Sequence, residues 1–307
     1  MRRVLVRRGA ELSAWSHLEP NPAIDLPRID PSNKGNAGMT KLVWMTDLHL
    51  VESGSDLPAG VDPLTGLRDA IEEIKRFHSD AVRLVISGDL VQLRNPGAYR
   101  LLREELASLS IPVRLLAGNH DDRRALVNIF PEAGLGGFVQ GVEDIEVTRL
   151  VYADTKASDG GHHGELCDVR IEWLAEQIHL AGSRPLLLFL HHPPFAIGVP
   201  SLDRLRLLNS DGLAGLLETR AAPTHLFCGH LHRNVSGAWR GHPIQVLKST
   251  HVQFALDMTG EKLRRSSEPP AYAVIEIRDG DVITNYRDIS SRDTGPRQRT
   301  ARTNSAS

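Results

Sequence analysis

Leu186-Leu187-Leu188-Phe189-Leu190 runs directly into His191-His192-Pro193-Pro194. Five consecutive large apolar residues suit a strand buried on both faces, and fall far short of the ~18 to 20 needed to span a bilayer. The same arrangement, an apolar run ending in a polar cluster, recurs along the chain. Leu42 to Thr46 leads into Asp47-Leu48-His49, and Val82 to Ser87 leads into Gly88-Asp89. Val113 to Ala117 leads into Gly118-Asn119-His120-Asp121, and His225 to Cys228 into Gly229-His230-Leu231-His232. Further strand-like runs occupy 147–153, 244–248 and 272–277. Helical patterns lie between them. Leu64, Leu67, Ile71, Ile74 and Phe77 share one face, as do Ile171, Leu174 and Ile178. Asn95-Pro96 reads as an N-cap with proline at the first helical position, opening a helix through Tyr99, Leu102, Leu106 and Leu109. Apolar strands alternating with amphipathic helices predict an α/β fold with a largely parallel sheet. In such sheets ligands bind at the carboxyl ends of the strands, so five polar clusters at five such ends predict one shared site.

The remaining composition narrows the function. With 36 Lys and Arg against 38 Asp and Glu, the formal net charge is −2, which gives no electrostatic case for binding nucleic acid or an acidic membrane. Only 5% of residues are aromatic, so base-stacking platforms for tracking a strand are scarce. Two cysteines, Cys167 and Cys228, build neither a disulfide framework nor a zinc knuckle and favour a reducing compartment; Cys228 reads as a buried strand thiol. The basic N-terminus lacks the apolar stretch of a secretory signal, so a cytoplasmic enzyme is expected. Residues 1–38, with Pro20, Pro22, Pro27 and Pro31, read as a loosely ordered extension, and Met39 as an alternative natural start. Residues 39–289 read as the domain and 290–307 as a disordered tail.

Taken singly, each cluster is a weak signal. Asp-x-His arises by chance, Gly-Asp is usually a turn, and His-Pro-Pro fits a loop with a packed histidine. Gly-His-x-His says more, because it sets two imidazoles on one side of an extended segment. As an ordered set at strand ends, the five predict a metal site.

In order and spacing, DxH, GD, GNHD, HHPP and GHLH resemble the calcineurin-like metallophosphoesterase superfamily, and within it the class III cyclic nucleotide phosphodiesterases and their glycerophosphodiesterase relatives. The likeness covers roughly Thr40 to Ile289. It implies a four-layer αββα sandwich of two mixed sheets flanked by helices. It also implies two divalent ions, with Asp47, His49, Asp89 and His232 on the first, and Asp89, Asn119, His191 and His230 on the second. Asp89 would bridge them, and a hydroxide shared by the ions would attack the phosphorus. Imidazole, carboxylate and amide donors suit Mn, Fe, Zn or Co. The resemblance makes His120 a phosphate contact and proton donor to the leaving alkoxide, with Asp121 orienting its ring. Asn119, His120 and His251 are the expected substrate contacts, and His192 is expected to pack behind the metals. Phe195, in the segment after HHPP, reads as apolar filling or a base contact; His162 and His163 read as a lid or a solvated loop.

The expected reaction is hydrolysis of a small phosphodiester, foremost a 3′,5′-cyclic nucleotide. A 2′,3′-cyclic nucleotide or glycerophosphodiester is the alternative substrate. A non-catalytic scaffold of the same fold is the alternative of another class. The tyrosine that purple acid phosphatases carry after Gly-Asp is absent here, where Leu90-Val91-Gln92 follows. Relatives often pair, so the resemblance allows a homodimer, while no interface is readable in the sequence and the oligomeric state stays open.

Overall fold

The structure is a computed structural model that describes residues 39–93, 95–222 and 224–289. The extension read at 1–38 and the tail read at 290–307 lie outside the described residues.

Two mixed sheets lie back to back. The first is built on β1 (Met39–Met45), β2 (Arg83–Ile86) and β3 (Val113–Leu115), which pair in parallel. Two later strands, β12 (Ala271–Arg278) and β13 (Asp281–Asp288), extend it antiparallel beyond β1, giving the order β13-β12-β1-β2-β3. In the second sheet β5 (Thr148–Ala153), β6 (Leu186–Leu190), β7 (Thr224–Cys228) and β9 (His242–Val246) are parallel neighbours. Antiparallel strands β4 (Gly141–Ile145) and β8 (Val235–Trp239) close its two edges. A short ribbon pairs β10 (Gln253–Phe254) with β11 (Arg265–Ser266).

Side-chain alternation along the central strands explains the layers. From β1, Leu42 and Trp44 point between the sheets, where they meet Tyr152, Leu187, Phe189 and Phe227. The alternate residues Val43 and Met45 face outward, into a core shared with helices α1 (Pro63–Phe77), α2 (Ala98–Leu106) and α3 (Arg123–Ile129). On the far side Leu186, Leu188 and Leu190 pack against α4 (Asp168–Ala181) and α6 (Asp211–Glu218), with the single turn α5 (Pro200–Asp203) nearby. Both faces of each central strand are therefore apolar, as the uninterrupted runs require. The order helix, sheet, sheet, helix is the expected four-layer αββα sandwich. Trp44 anchors the middle: its ring meets Phe227 edge-on at 5.3 Å, and its indole N–H donates to Ser87 Oγ at 2.9 Å.

Three expectations change in detail. "Largely parallel" holds for the central strands only; the edges are antiparallel. The Asn95-Pro96 pair sits in a turn, and α2 begins at Ala98 behind Gly97. The Asn95 side chain instead accepts from Ser55 Oγ at 3.1 Å, tying two loops together. Phe77, at the last position of α1, is 47% exposed rather than part of the core.

Candidate active site

β1, β2 and β3 end on one side of the molecule, and β6 and β7 end on the same side from the second sheet. Asp47 and His49 follow β1, Asp89 follows β2, Asn119 and His120 follow β3, His191 follows β6, and His230 and His232 follow β7. All eight converge. Around them lies a cavity of about 440 Å³, lined by His49, Asp89, Asn119, His120, His230 and His232 among others.

The backbone is strained to bring them in. Nine non-glycine residues among those described have positive φ, and five of these are Asp47, His49, Asp89, His230 and His232. Such conformations cost of order 1 kcal/mol each and persist where the surroundings enforce them. Glycines make the approach close enough. A Cβ at Gly118 would lie 2.2 Å from Asp89 Oδ1, and one at Gly229 would lie 2.0 Å from Thr46 Oγ1 and 2.8 Å from Asp47 Oδ2.

The histidine tautomers follow from their outer partners. His191 Nδ1 donates to Ser87 O at 2.9 Å, His232 Nδ1 to Val252 O at 2.6 Å, and His49 Nδ1 to Gln92 Oε1 at 2.9 Å. Each bond leaves the Nε2 lone pair facing inward, the arrangement by which outer groups orient metal-binding imidazoles. His49 Nε2 and His232 Nε2 then face each other at 3.0 Å. Two lone pairs that close repel unless a cation lies between them. Two ligands ~2.0 to 2.1 Å from one ion stand at about this separation.

The carboxylates complete the set. Asp89 Oδ2 is 3.4 Å from His191 Nε2 and 3.7 Å from His49 Nε2, so one oxygen lies between groups from different sheets. Asp47 Oδ1 is 3.3 Å from His232 Nε2 and 3.9 Å from His191 Nε2. Asn119 Oδ1 is 3.3 Å from His191 Nε2. Asp47 Oδ1 and both ring nitrogens of His230 are buried without a hydrogen-bond partner. Orphaned buried polar atoms are costly, and cations would satisfy Asp47 Oδ1 and the lone-pair nitrogen of His230. The donor set fits two metal ions.

Charge coupling within the cluster is strong. Burial opposes ionisation of Asp47 and Asp89, but the surrounding imidazoles outweigh it and hold both well below the usual carboxylate range. Burial alone would lower His191; the Asp89 and Asp47 carboxylates overcome it and raise the ring to about 9. His232 is raised in the same way, chiefly by Asp47. Burial takes His49 and His230 down to about 3.

His120 lines the same cavity, with Nε2 4.0 Å from Asp89 Oδ2. Its Nδ1 accepts from Leu93 N–H at 3.3 Å, which leaves the proton of the neutral ring on Nε2, and burial lowers its pKa. Asp121 does not orient this ring. Its carboxylate accepts from Gly118 N–H at 2.8 Å, Leu90 N–H at 3.1 Å and the Tyr99 O–H of α2 at 2.9 Å, pinning the backbones of the loops after β2 and β3 around Asp89. Burial and then the Asp89 charge raise it to about 7. The N-cap of α3 is Asp122, whose carboxylate accepts from Ala125 N–H at 2.8 Å.

Other groups reach the site unexpectedly. His162 receives the Asn119 side-chain N–H at 2.7 Å, which turns Asn119 Oδ1 toward His191. Gln92 and the Val252 carbonyl set two ring orientations. None carries a sequence signal of its own, since each acts on a partner far along the chain. His251 lines the cavity and is held by Val61 O at 3.0 Å. Phe195 packs in the outer core as the apolar filling expected of it, and Phe254 is the ring at the cavity. His192 is fully buried, its Nδ1 on Thr155 Oγ1 at 2.8 Å, with its ring 4.5 Å from His230. Cys228 is a free buried thiol of β7, pushed up by burial. No helix among the described residues is long and apolar enough to cross a membrane.

Comparison with known proteins agrees with this geometry. Residues 40–234 match the model of the calcineurin-like phosphoesterase family. The chain is 37% identical to the "Probable cyclic nucleotide phosphodiesterase RPA0124" of Rhodopseudomonas palustris, over 79% of this chain and 90% of that protein. It is 30% identical to the 3′,5′-cyclic adenosine monophosphate phosphodiesterase CpdA of Escherichia coli, over 81% of this chain and 90% of that one. It is 28% identical to the glycerophosphodiester phosphodiesterase GpdQ of Enterobacter lignolyticus, over 83% and 93%. With its strand-end ligand set and these relatives, the chain belongs to the calcineurin-like phosphoesterase family.

Proposed function

We propose that the chain hydrolyses a small phosphodiester, a 3′,5′-cyclic nucleotide of the cAMP type, to the nucleoside monophosphate. The observation that carries this reading is the position of Asp89 Oδ2, within 3.4 Å of His191 Nε2 and 3.7 Å of His49 Nε2 on the floor of an open cavity. Asp47, His49, Asp89 and His232 would hold one divalent ion; Asp89, Asn119, His191 and His230 would hold the other. Two such ions activate water and stabilise charge on the phosphoryl oxygens, and the mixed donors suit Mn, Fe, Zn or Co.

The chain's own residues do the rest. Asp47 and Asp89 together carry −2, so two dications leave the floor positive and attractive to a phosphodiester monoanion. His120 donates its Nε2–H to a phosphoryl oxygen. The Leu93 N–H on Nδ1 favours this neutral-donor role over that of an imidazolium acid. Asp121 acts at a distance, by fixing the loops that carry Asp89 and His120. Asn119 presents its oxygen inward because His162 takes its amide proton. His251 lines the substrate side of the cavity.

Similarity to GpdQ favours glycerophosphodiester hydrolysis as the second reading. A non-catalytic scaffold accounts poorly for a complete ligand set held in strained backbone. A substrate panel on metal-loaded protein decides among them. The reading expects kcat/KM on 3′,5′-cAMP to exceed that on 2′,3′-cAMP and glycerophosphoethanolamine. Turnover of only the monoester p-nitrophenyl phosphate would remove the diesterase assignment.

A further inference from the structure

Beyond the metal-facing groups, the cavity has a second face. Phe254, Leu263 and Arg265 line it from the β10–β11 ribbon and its connecting loop, and Leu205 lines it from the segment after HHPP. The ribbon is firmly seated. Phe254 N–H donates to His232 O at 3.4 Å, its carbonyl accepts from Arg233 Nη1, and Ala255 N–H donates to Arg264 O at 2.8 Å. The Asp257 carboxylate ties the loop by accepting from Gly260 N–H at 2.9 Å. The half-buried Phe254 ring stacks on His232 at 4.6 Å and 25°, which puts an aromatic surface beside the converging histidines. Leu263 is 43% exposed although apolar. Arg265 is a cation with no carboxylate or carbonyl partner among the described residues, unlike its neighbour Arg264, which pairs with Asp257, and Arg233, which pairs with Glu268.

An apolar, aromatic wall beside an unpaired guanidinium suits a planar heterocycle with polar edges. A glycerol arm offers hydroxyls only and would leave Phe254 and Leu263 wet. We infer that the ribbon is a nucleobase subsite: the base lies against Phe254 and Leu263, and Arg265 donates to acceptors on its edge. This deepens the phosphodiesterase reading and rests on it for the identity of the diester. It makes the ribbon, rather than the metal ligands, the determinant of nucleotide over glycerol substrates.

Binding separates this inference from turnover. Metal-loaded wild type, Phe254→Leu, Leu263→Ser and Arg265→Ala are titrated calorimetrically with AMP and with glycerol 3-phosphate, which share the phosphomonoester. Wild type should bind AMP roughly tenfold more tightly or better, the scale of base–aromatic stacking. The variants should lower the ratio of AMP to glycerol 3-phosphate affinity several-fold. The ratio of kcat/KM on 3′,5′-cAMP to that on glycerophosphoethanolamine should fall with it. Leu263 and Arg265 are exposed, so their variants keep the test independent of folding. Equal affinities in wild type, or ratios unmoved in all three variants, would overturn the base subsite. A preference for AMP without hydrolysis of any diester would sustain the subsite and refute the phosphodiesterase reading instead.

Discussion

Asp89 is the residue on which the site turns, because its Oδ2 lies 3.4 Å from His191 Nε2 and 3.7 Å from His49 Nε2, between histidines of different sheets. Asp89→Ala should strip the protein of bound metal, read by elemental analysis, and abolish turnover with it. His120→Ala should behave differently, keeping both metals while slowing hydrolysis ~10²- to 10³-fold, the usual worth of one hydrogen-bond donor to charge developing on the reacting group. Metal loss in that variant would make His120 a ligand. Protonation adds a second test. Without metal, His191 is raised to about 9 by its carboxylate neighbours, and His232 is raised too. Near pH 7 the His191 ring then carries a proton that an incoming ion must displace, so loading should release protons, about one from His191 alone. Titration in buffers of different ionisation enthalpy counts them, and no release would contradict the coupling. The sign for folding follows. Metal-free native protein binds more protons at His191 than the unfolded chain between 6.5 and about 9. Its Tm should therefore fall as pH rises through that window. The converging side chains were legible in the sequence because chemistry-bearing residues interrupt apolar runs. The partners of those side chains were not. His162 acts on Asn119 from 43 positions away, and Asp121 turned out to hold backbone rather than the neighbouring ring.

Among the elements, the central strands declared themselves through unbroken apolar runs, since both their faces are buried. The edge strands did not. In β13 exposed residues predominate, and β8 buries none of its five; such strands are held by backbone pairing, which leaves little mark on side-chain choice. The two-residue strands β10 and β11 are too short for any period to show, so the Phe254 wall was missed and Phe195 considered in its place. Elsewhere the elements are braced by charge. Asp154, fully buried at the end of β5, accepts from Arg123 Nε at 2.7 Å and Nη2 at 2.8 Å, and lies 3.6 Å from Arg170 Nη1. Arg170 is itself only 2% exposed. Asp154→Ala leaves that guanidinium without its buried counter-charge and should destabilise the fold by ~3 to 5 kcal/mol, measurable by urea unfolding. A change under ~1 kcal/mol would mean that Glu165, 3.8 Å away, and the backbone carbonyls that Arg170 also reaches suffice without Asp154.

For the whole molecule, the two sheets place the parallel strand ends β1, β2, β3, β6 and β7 along one rim, and metal binding should tie them together. Chelation is expected to lower Tm without abolishing folding, because the aromatic layer between the sheets does not depend on the ions. The central claim is that Asp89 lies between two cations, one contacted by each half of the ligand set. Anomalous diffraction from a crystal of the metal-loaded protein tests it directly. The account predicts two peaks ~3.5 to 4 Å apart, flanking the Asp89 carboxylate, with His49 and His232 on one and His191 and His230 on the other. A single peak, or one held by His191, His192 and His230 with Asp89 unbound, would contradict it.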